Sequence, residues 1–351
     1  MCAMRALTIQ PGTADSARLD DVPDPSPQAG SVLVRTLAVG ICGTDLDLLR
    51  GEYGWAPPGR DRLILGHESI GSVLKAPAGS GLSNGDLVVG IVRRPDPVPC
   101  PHCAVGEWDM CTNGLYTERG IKEIDGYGSD LFRIEPEFAV RVAPTLGMLG
   151  VLLEPASVVA KAWDHAVRIG GRSRAWKPRS VLVTGAGPVG LLAALMGVQR
   201  GLDLHVLDRV TEGPKPHLVK DLGGTYCAGE LPGSLAPDIV IECTGAAPVI
   251  LDAISRSAAS GIVCLAGIST GRHQVPVNVD ALNRTMVLEN DVVFGSVNAN
   301  RRHYQMAADA LAAADPNWLS RLISRRVPVE RWPEAFRRQA NDVKVVLEFS
   351  D

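Results

Sequence analysis

The stretch Ser180-Val-Leu-Val-Thr184-Gly185-Ala-Gly187-Pro188-Val189-Gly190 decides the fold. Its first five residues read as a buried strand. The next six fit G-x-G-x-x-G, and an apolar helix follows to Arg200. In that setting each glycine has a task. Gly185 permits the sharp turn, Gly187 lets the backbone approach a pyrophosphate, and Gly190 lets the helix pack on the strand. Pro188 and Val189 open the helix, whose N-terminus turns free N–H groups and a positive dipole end toward the phosphates. Asp208 stands about 20 residues further on, at the end of the next strand, where a dinucleotide's adenosine ribose is expected. A carboxylate there accepts from both ribose hydroxyls, which favours NAD and repels a 2′-phosphate. Arg209, with Lys215 and His217 near, keeps NADP as an alternative.

Working outward, Leu204–Leu207, Asp238–Cys243 and Ile262–Ala266 read as further strands, with Val292–Val297 as a sixth-strand candidate. Pro155–Arg168 and a stretch around Val249–Ala258 read as helices. Alternation of this kind predicts a parallel sheet covered on both faces. The first 155 or so residues have another texture: short strands and frequent turns, such as Asn84-Gly85-Asp86 before Leu87–Val92. The tail offers a helix, a short helix near Pro333–Arg338 and a last strand, Val343–Phe349. No repeat or low-complexity segment divides the chain.

Bulk properties narrow the function. The 351 residues suit about two domains. Lys plus Arg total 35 against 39 Asp plus Glu, a formal charge of -4. This gives no electrostatic case for nucleic acid or an anionic membrane surface. Hydrophobic residues at 46% and charged residues at 21% describe an ordinary globular chain. Val181–Val198 carries no charge, but its glycines and proline argue against a continuous membrane helix. No signal-peptide core opens the chain, so the expected address is the cytoplasm. There the cysteines serve better as metal ligands than as disulfides.

Two metal constellations stand out. Cys42, His67 and Glu68 offer thiolate, imidazole and carboxylate, a set suited to a catalytic zinc with one open position. Singly, each has a plainer reading: Cys42 as a small buried hydrophobe, His67 as a hydrogen-bonded half-buried ring. Glu154, in Leu-Leu-Glu154-Pro-Ala, is isolated in an apolar run, where a carboxylate is costly unless paired or metal-bound. The second constellation is Cys100-Pro-His-Cys103 with Cys111, a structural-zinc pattern lacking one ligand. The fourth is Asp96 or His102, unless the lobe carries no metal.

Together these motifs resemble the zinc-dependent medium-chain dehydrogenase/reductase superfamily. Cys42-Gly-Thr-Asp45, Gly66-His-Glu68-x-x-Gly71, Gly85-Asp86 with Val88, and the Gly185–Gly190 turn occur in that family's order over nearly the whole chain. A nearer resemblance, to archaeal-type glucose 1-dehydrogenases, rests on further motifs. They are Val92-Arg-Arg-Pro95, Tyr116-x-Glu-Arg-Gly-Ile121, Asp125-Gly-Tyr127, Leu153-Glu-Pro-Ala-Ser157 and Gly295-Ser-Val-Asn298.

The resemblance implies an α/β chain. A GroES-like, mostly-β catalytic domain would take residues 1–157 and 299–351. A Rossmann doubly wound parallel sheet would take 158–298. It implies zinc on Cys42, His67 and Glu68, with Glu154 near or on the metal and Asp45 orienting His67. Thr44 matches the hydroxyl that relays the substrate proton. Glu118, Glu154 and Asn298 match positions that hold sugar hydroxyls. The implied reaction takes the anomeric carbinol of an aldose to a lactone, with hydride passing to NAD or NADP, in a homodimer or homotetramer.

Departures are visible too. Pro97 stands where the lobe's first cysteine belongs, Asp208-Arg209 replaces a frequent Arg-Arg, and Asp47 takes the place of a relay histidine. A polyol, cyclitol or biosynthetic-sugar dehydrogenase is the nearest rival. A zinc-free reductase and a non-catalytic dinucleotide-binding protein are more distant ones.

Overall fold

The computed structural model describes residues 3–269, 271 and 274–349. The chain forms two compact units, Met1–Glu154 with Asn298–Asp351, and Pro155–Val297. The divisions expected above are 157/158 and 298/299.

The Pro155–Val297 unit is built on a six-stranded, all-parallel sheet. Its order is Thr225–Ala228, Asp203–Asp208, Ser180–Thr184, Ile239–Glu242, Ile262–Leu265 and Val292–Gly295. Val181, Leu182 and Val183 are fully buried, as expected of a central strand covered on both faces. The chain leaves Ser180–Thr184 toward one edge and later returns to fill the other. The carboxyl end of that strand is therefore a topological switch point, where open α/β sheets bind ligands. Trp163, on the Leu153–Gly170 helix, donates its indole N–H to Ala193 O at 3.2 Å and ties that helix to Pro188–Val198. Val181–Val198 is thus a strand, a turn and a buried helix, not a span. The helical run Pro144–Gly170 is apolar and long enough to cross a bilayer, and most of it is buried within the fold.

The other unit is mostly β. Its largest sheet runs Ala139–Arg141, Leu87–Gly90, Glu68–Lys75, Val32–Ile41, Lys344–Glu348 and Ile323–Pro328, with Leu131–Ile134 also paired to Val32–Ile41. Alternate residues Val32, Val34, Thr36 and Ala38 of Val32–Ile41 are buried, and Val39 is buried beside them. Because Val32–Ile41 lies between Glu68–Lys75 and Lys344–Glu348, residues near the two chain ends meet over one strand.

Candidate active site

Three elements carry the first constellation. Cys42 ends the Val32–Ile41 strand and caps the Gly43–Leu49 helix. Asp45, in that helix's first turn, accepts the Cys42 backbone N–H through Oδ2 at 2.9 Å. Its Oδ1 faces His67 Nδ1 at 3.4 Å. His67 Nε2 in turn lies 3.0 Å from Cys42 Sγ. Ligand atoms of Cys42, Asp45 and His67 all fall within 4.8 Å of one another. Asp45 and His67 are buried. Burial pulls the imidazole down, but Asp45 and Cys42 outweigh it and hold His67 well above its ordinary range. Burial pushes the Cys42 thiol up. Thr44 is half-buried at the second position of the same helix. Asp47, further along it, pairs with Arg50 as a surface charge.

Glu68 departs from the expected ligand set. Its carboxylate is bound by Lys344 Nζ, 2.7 Å from Oε1 and 2.5 Å from Oε2, with both side chains buried. The local reason is Gly40. It pairs with Glu68 across the sheet, and a Cβ there would come within 2.1 Å of Glu68 Oε2. Bare backbone on the middle strand lets Glu68 and Lys344 meet over it. Lys344 Nζ also donates to Ile41 O at 3.2 Å. Burial lowers the Lys344 ammonium's pKa, but Glu68 and Cys42 more than compensate and raise it. Sequence reading did not single out Lys344. The signal was a lone cation in the apolar run Val343–Phe349, the same kind of anomaly that marks Glu154.

Glu154 is buried and within electrostatic reach of this group. Burial first, then the charge of Glu68, push its carboxyl up to about 7, against the pull of His67 and Lys344. The centre therefore gathers three carboxyls and a thiol around one ammonium and one imidazole. That is a shortage of positive charge in a dry place, which a divalent cation would correct. Sulfur and nitrogen already in contact are the donors zinc prefers.

A second polar group sits on the Arg93–Arg94 and Thr117–Arg119 strands, where Arg93 and Glu118 are direct partners. Asn298 Nδ2 donates to Glu118 Oε1 at 2.7 Å, while Asn298 Oδ1 accepts from Ala299 N. Two of the three residues expected to hold sugar hydroxyls thus touch. Arg93, quoted above only as part of a motif, binds Glu118 as well.

In the lobe, Cys100, Cys103 and Cys111 present sulfurs within 4.8 Å of one another, and Cys100 Sγ lies 4.0 Å from Cys111 Sγ. The backbone N–H groups of Cys103 and Thr112 bring the Cys100 thiol down to about 6. Neither expected fourth ligand joins them. His102 Nδ1 faces Glu107 at 3.6 Å. Asp96 accepts the Val98 backbone N–H at Oδ1 and the Asn113 Nδ2 amide at Oδ2.

The glycine turn is formed as its motif requires. Gly185 adopts φ +87°, and a Cβ on Gly190 would fall 1.8 Å from Gly185 O. Gly187 caps the Pro188–Val198 helix, with Val189 in its first turn. Asp208 Oδ2 accepts Ala186 N at 2.7 Å, and Oδ1 accepts Val210 N at 2.9 Å. Burial raises this carboxyl. The two backbone N–H groups and Lys215, 3.4 Å away, outweigh burial and hold it below the usual range. Arg209 is exposed beside it.

Comparison with known proteins agrees with this geometry. The profile of the alcohol dehydrogenase GroES-like domain matches residues 28–144, and that of the glucose dehydrogenase C-terminus matches residues 147–349. The chain is 40% identical over 359 residues to glucose 1-dehydrogenase of Methanocella arvoryzae, covering 98% of this chain and 99% of that one. The chain belongs to the glucose dehydrogenase family of zinc-dependent medium-chain dehydrogenases. Another member of the family, glucose 1-dehydrogenase of Thermoproteus tenax, is 39% identical, with 98% and 99% covered. The glucose dehydrogenase of Haloferax mediterranei, solved with NADP, Zn and gluconolactone, superposes with a TM-score of 0.91 at 31% identity. That match covers 99% of this chain and 100% of that one.

Proposed function

We propose that this protein oxidises the C1 carbinol of D-glucose or a closely related aldose to the lactone and reduces NAD(P). The observation that carries the reading is the buried contact between Cys42 Sγ and His67 Nε2 in a centre short of positive charge. Cys42 and His67 would hold the zinc. Glu154, or a Glu68 released by Lys344, would add the carboxylate. Bound there, zinc would supply Lewis-acid polarisation for the C1 hydroxyl.

The chain's own residues do the rest. Asp45 fixes the ring of His67 through Nδ1, a role that ligating histidines commonly need filled. Thr44 accepts the carbinol proton at its hydroxyl oxygen as its own hydroxyl proton leaves through hydrogen bonds toward bulk water. Glu118 and Asn298 bind sugar hydroxyls, and a site built on such pairing rejects analogues that lack them. The Gly185–Gly190 turn presents its helix N-terminus to the cofactor pyrophosphate. Cys100, Cys103 and Cys111 fit a structural metal supported by three sulfurs.

Steady-state oxidation of D-glucose, galactose, xylose and myo-inositol, each with NAD and NADP, tests the reading. Turnover on an aldose with lactone as product is expected. Turnover on the cyclitol alone would assign the enzyme to polyols instead.

The same reading extends to assembly and address. Val292–Gly295 lies at the edge of the parallel sheet, and Val279, Val287 and Leu288 on the neighbouring helix are exposed. An open strand edge beside apolar side chains favours pairing of two copies. Thiols placed for metal binding suit the reducing cytoplasm.

A further inference from the structure

We propose that Arg93 is the positioning residue of the sugar site: it occupies one oxygen of Glu118 so that the other is presented to a single substrate hydroxyl. This rests on the reading of Glu118 as a sugar-binding group and goes beyond it. Arg93 and Glu118 face each other across antiparallel strands, so the backbone register itself brings them together. Arg93 donates to Glu118 Oε1 from both Nε and Nη2, each at 3.0 Å. Asn298 Nδ2 donates to the same oxygen at 2.7 Å. Oε1 therefore receives three N–H groups. Oε2 accepts none from the described residues, and it is not sealed from solvent.

Arg93 is itself fixed. It is buried, its guanidinium lies 3.7 Å from the centre of the Tyr116 ring, and Nη1 donates to Asp109 O at 3.3 Å. A planar guanidinium held on three sides cannot swing between the two carboxylate oxygens as an ammonium would. It also supplies the opposite charge that a buried carboxylate needs beside it. An ionised carboxylate only accepts hydrogen bonds. The open oxygen is then a strong acceptor at one place, which suits one sugar hydroxyl.

The experiment compares Arg93→Gln, Arg93→Lys, Glu118→Gln and the double variant Arg93→Gln/Glu118→Gln. Each is assayed on D-glucose and on the set of monodeoxyglucoses, with zinc and cofactor saturating. Arg93→Gln should raise KM for D-glucose roughly 10- to 100-fold, the range of a charge-assisted hydrogen bond. Its kcat should fall by less than about threefold and its cofactor KM should move by less than about twofold, because the lost contact is one of ground-state positioning. Arg93→Lys should fall between parent and Arg93→Gln. In the Glu118→Gln background the Arg93→Gln penalty should shrink to about twofold or less, since the two act as one unit. One monodeoxy sugar should erase the penalty of both single variants and so identify the hydroxyl.

The proposal is overturned if the two single penalties multiply, or if every monodeoxy sugar keeps the full penalty. Should Arg93→Gln not fold, the Arg93→Lys series decides on the same two criteria. A parent enzyme that oxidises no aldose sinks the functional reading and this proposal together. A parent that does, with penalties that multiply, sinks this proposal alone.

Discussion

Glu68 and Lys344 place opposite charges in an interior where each alone would be costly. Removing one partner of such a pair leaves the other uncompensated, at about 3–5 kcal/mol, whereas removing both is often near neutral. Lys344→Met should therefore lower the thermal midpoint sharply, and Glu68→Gln added to it should restore most of the loss. Calorimetry of the parent, the single and the double variant reads this directly, and a double variant no better than the single would refute it. The mutual engagement also explains why Glu68 does not join the close cluster of Cys42, Asp45 and His67, although it follows His67 directly in sequence. A buried carboxylate takes the nearest cation, and Gly40 clears the path to Lys344.

In the function proposed above, the glycine turn and the strand after it would carry the selection between cofactors. Asp208 has two tasks at once: it accepts Ala186 N within the turn, and it sets a negative charge at the strand end. Asp208→Asn keeps a carbonyl acceptor but removes the charge. It should move the ratio of NADP to NAD kcat/KM toward NADP by roughly tenfold, the value of about 1.4 kcal/mol of relieved repulsion. Unchanged ratios would mean that the charge does not discriminate and that Arg209 and Lys215 dominate.

These elements were also the most legible ones. A five-residue apolar run, a glycine motif and an apolar helix announce themselves locally, as do strands Ile239–Glu242 and Ile262–Leu265. Thr225–Ala228 and the Val279–Glu289 helix did not. The first is a four-residue edge strand with only Cys227 buried, and the second buries no residue fully, so neither leaves a clear periodic signature.

For the molecule as a whole, the exposed apolar side chains beside the Val292–Gly295 edge predict a homo-oligomer. Sedimentation equilibrium should find a dimer or larger species, and Val287→Glu should shift it toward monomer. A monomeric parent at assay concentrations would refute the pairing.

The site was legible where residues stand in recognisable motifs, as at Cys42, His67 and Asp45. It was not legible where partners meet through sheet register that no motif marks. Arg93 and Glu118, or Glu68 and Lys344, become neighbours only through strand pairing, and spacing cannot announce that. What sequence offers for Lys344 is an isolated cation in an apolar run, an anomaly without an address.

The ion pair of Glu68 and Lys344 closes a separation of 276 residues. During synthesis Glu68 leaves the ribosome well before the lysine that pairs with it. Until the strand Lys344–Glu348 follows, that carboxylate lacks the partner that holds it in the folded chain. A nascent chain stalled before that point therefore lacks the ammonium that closes the pair.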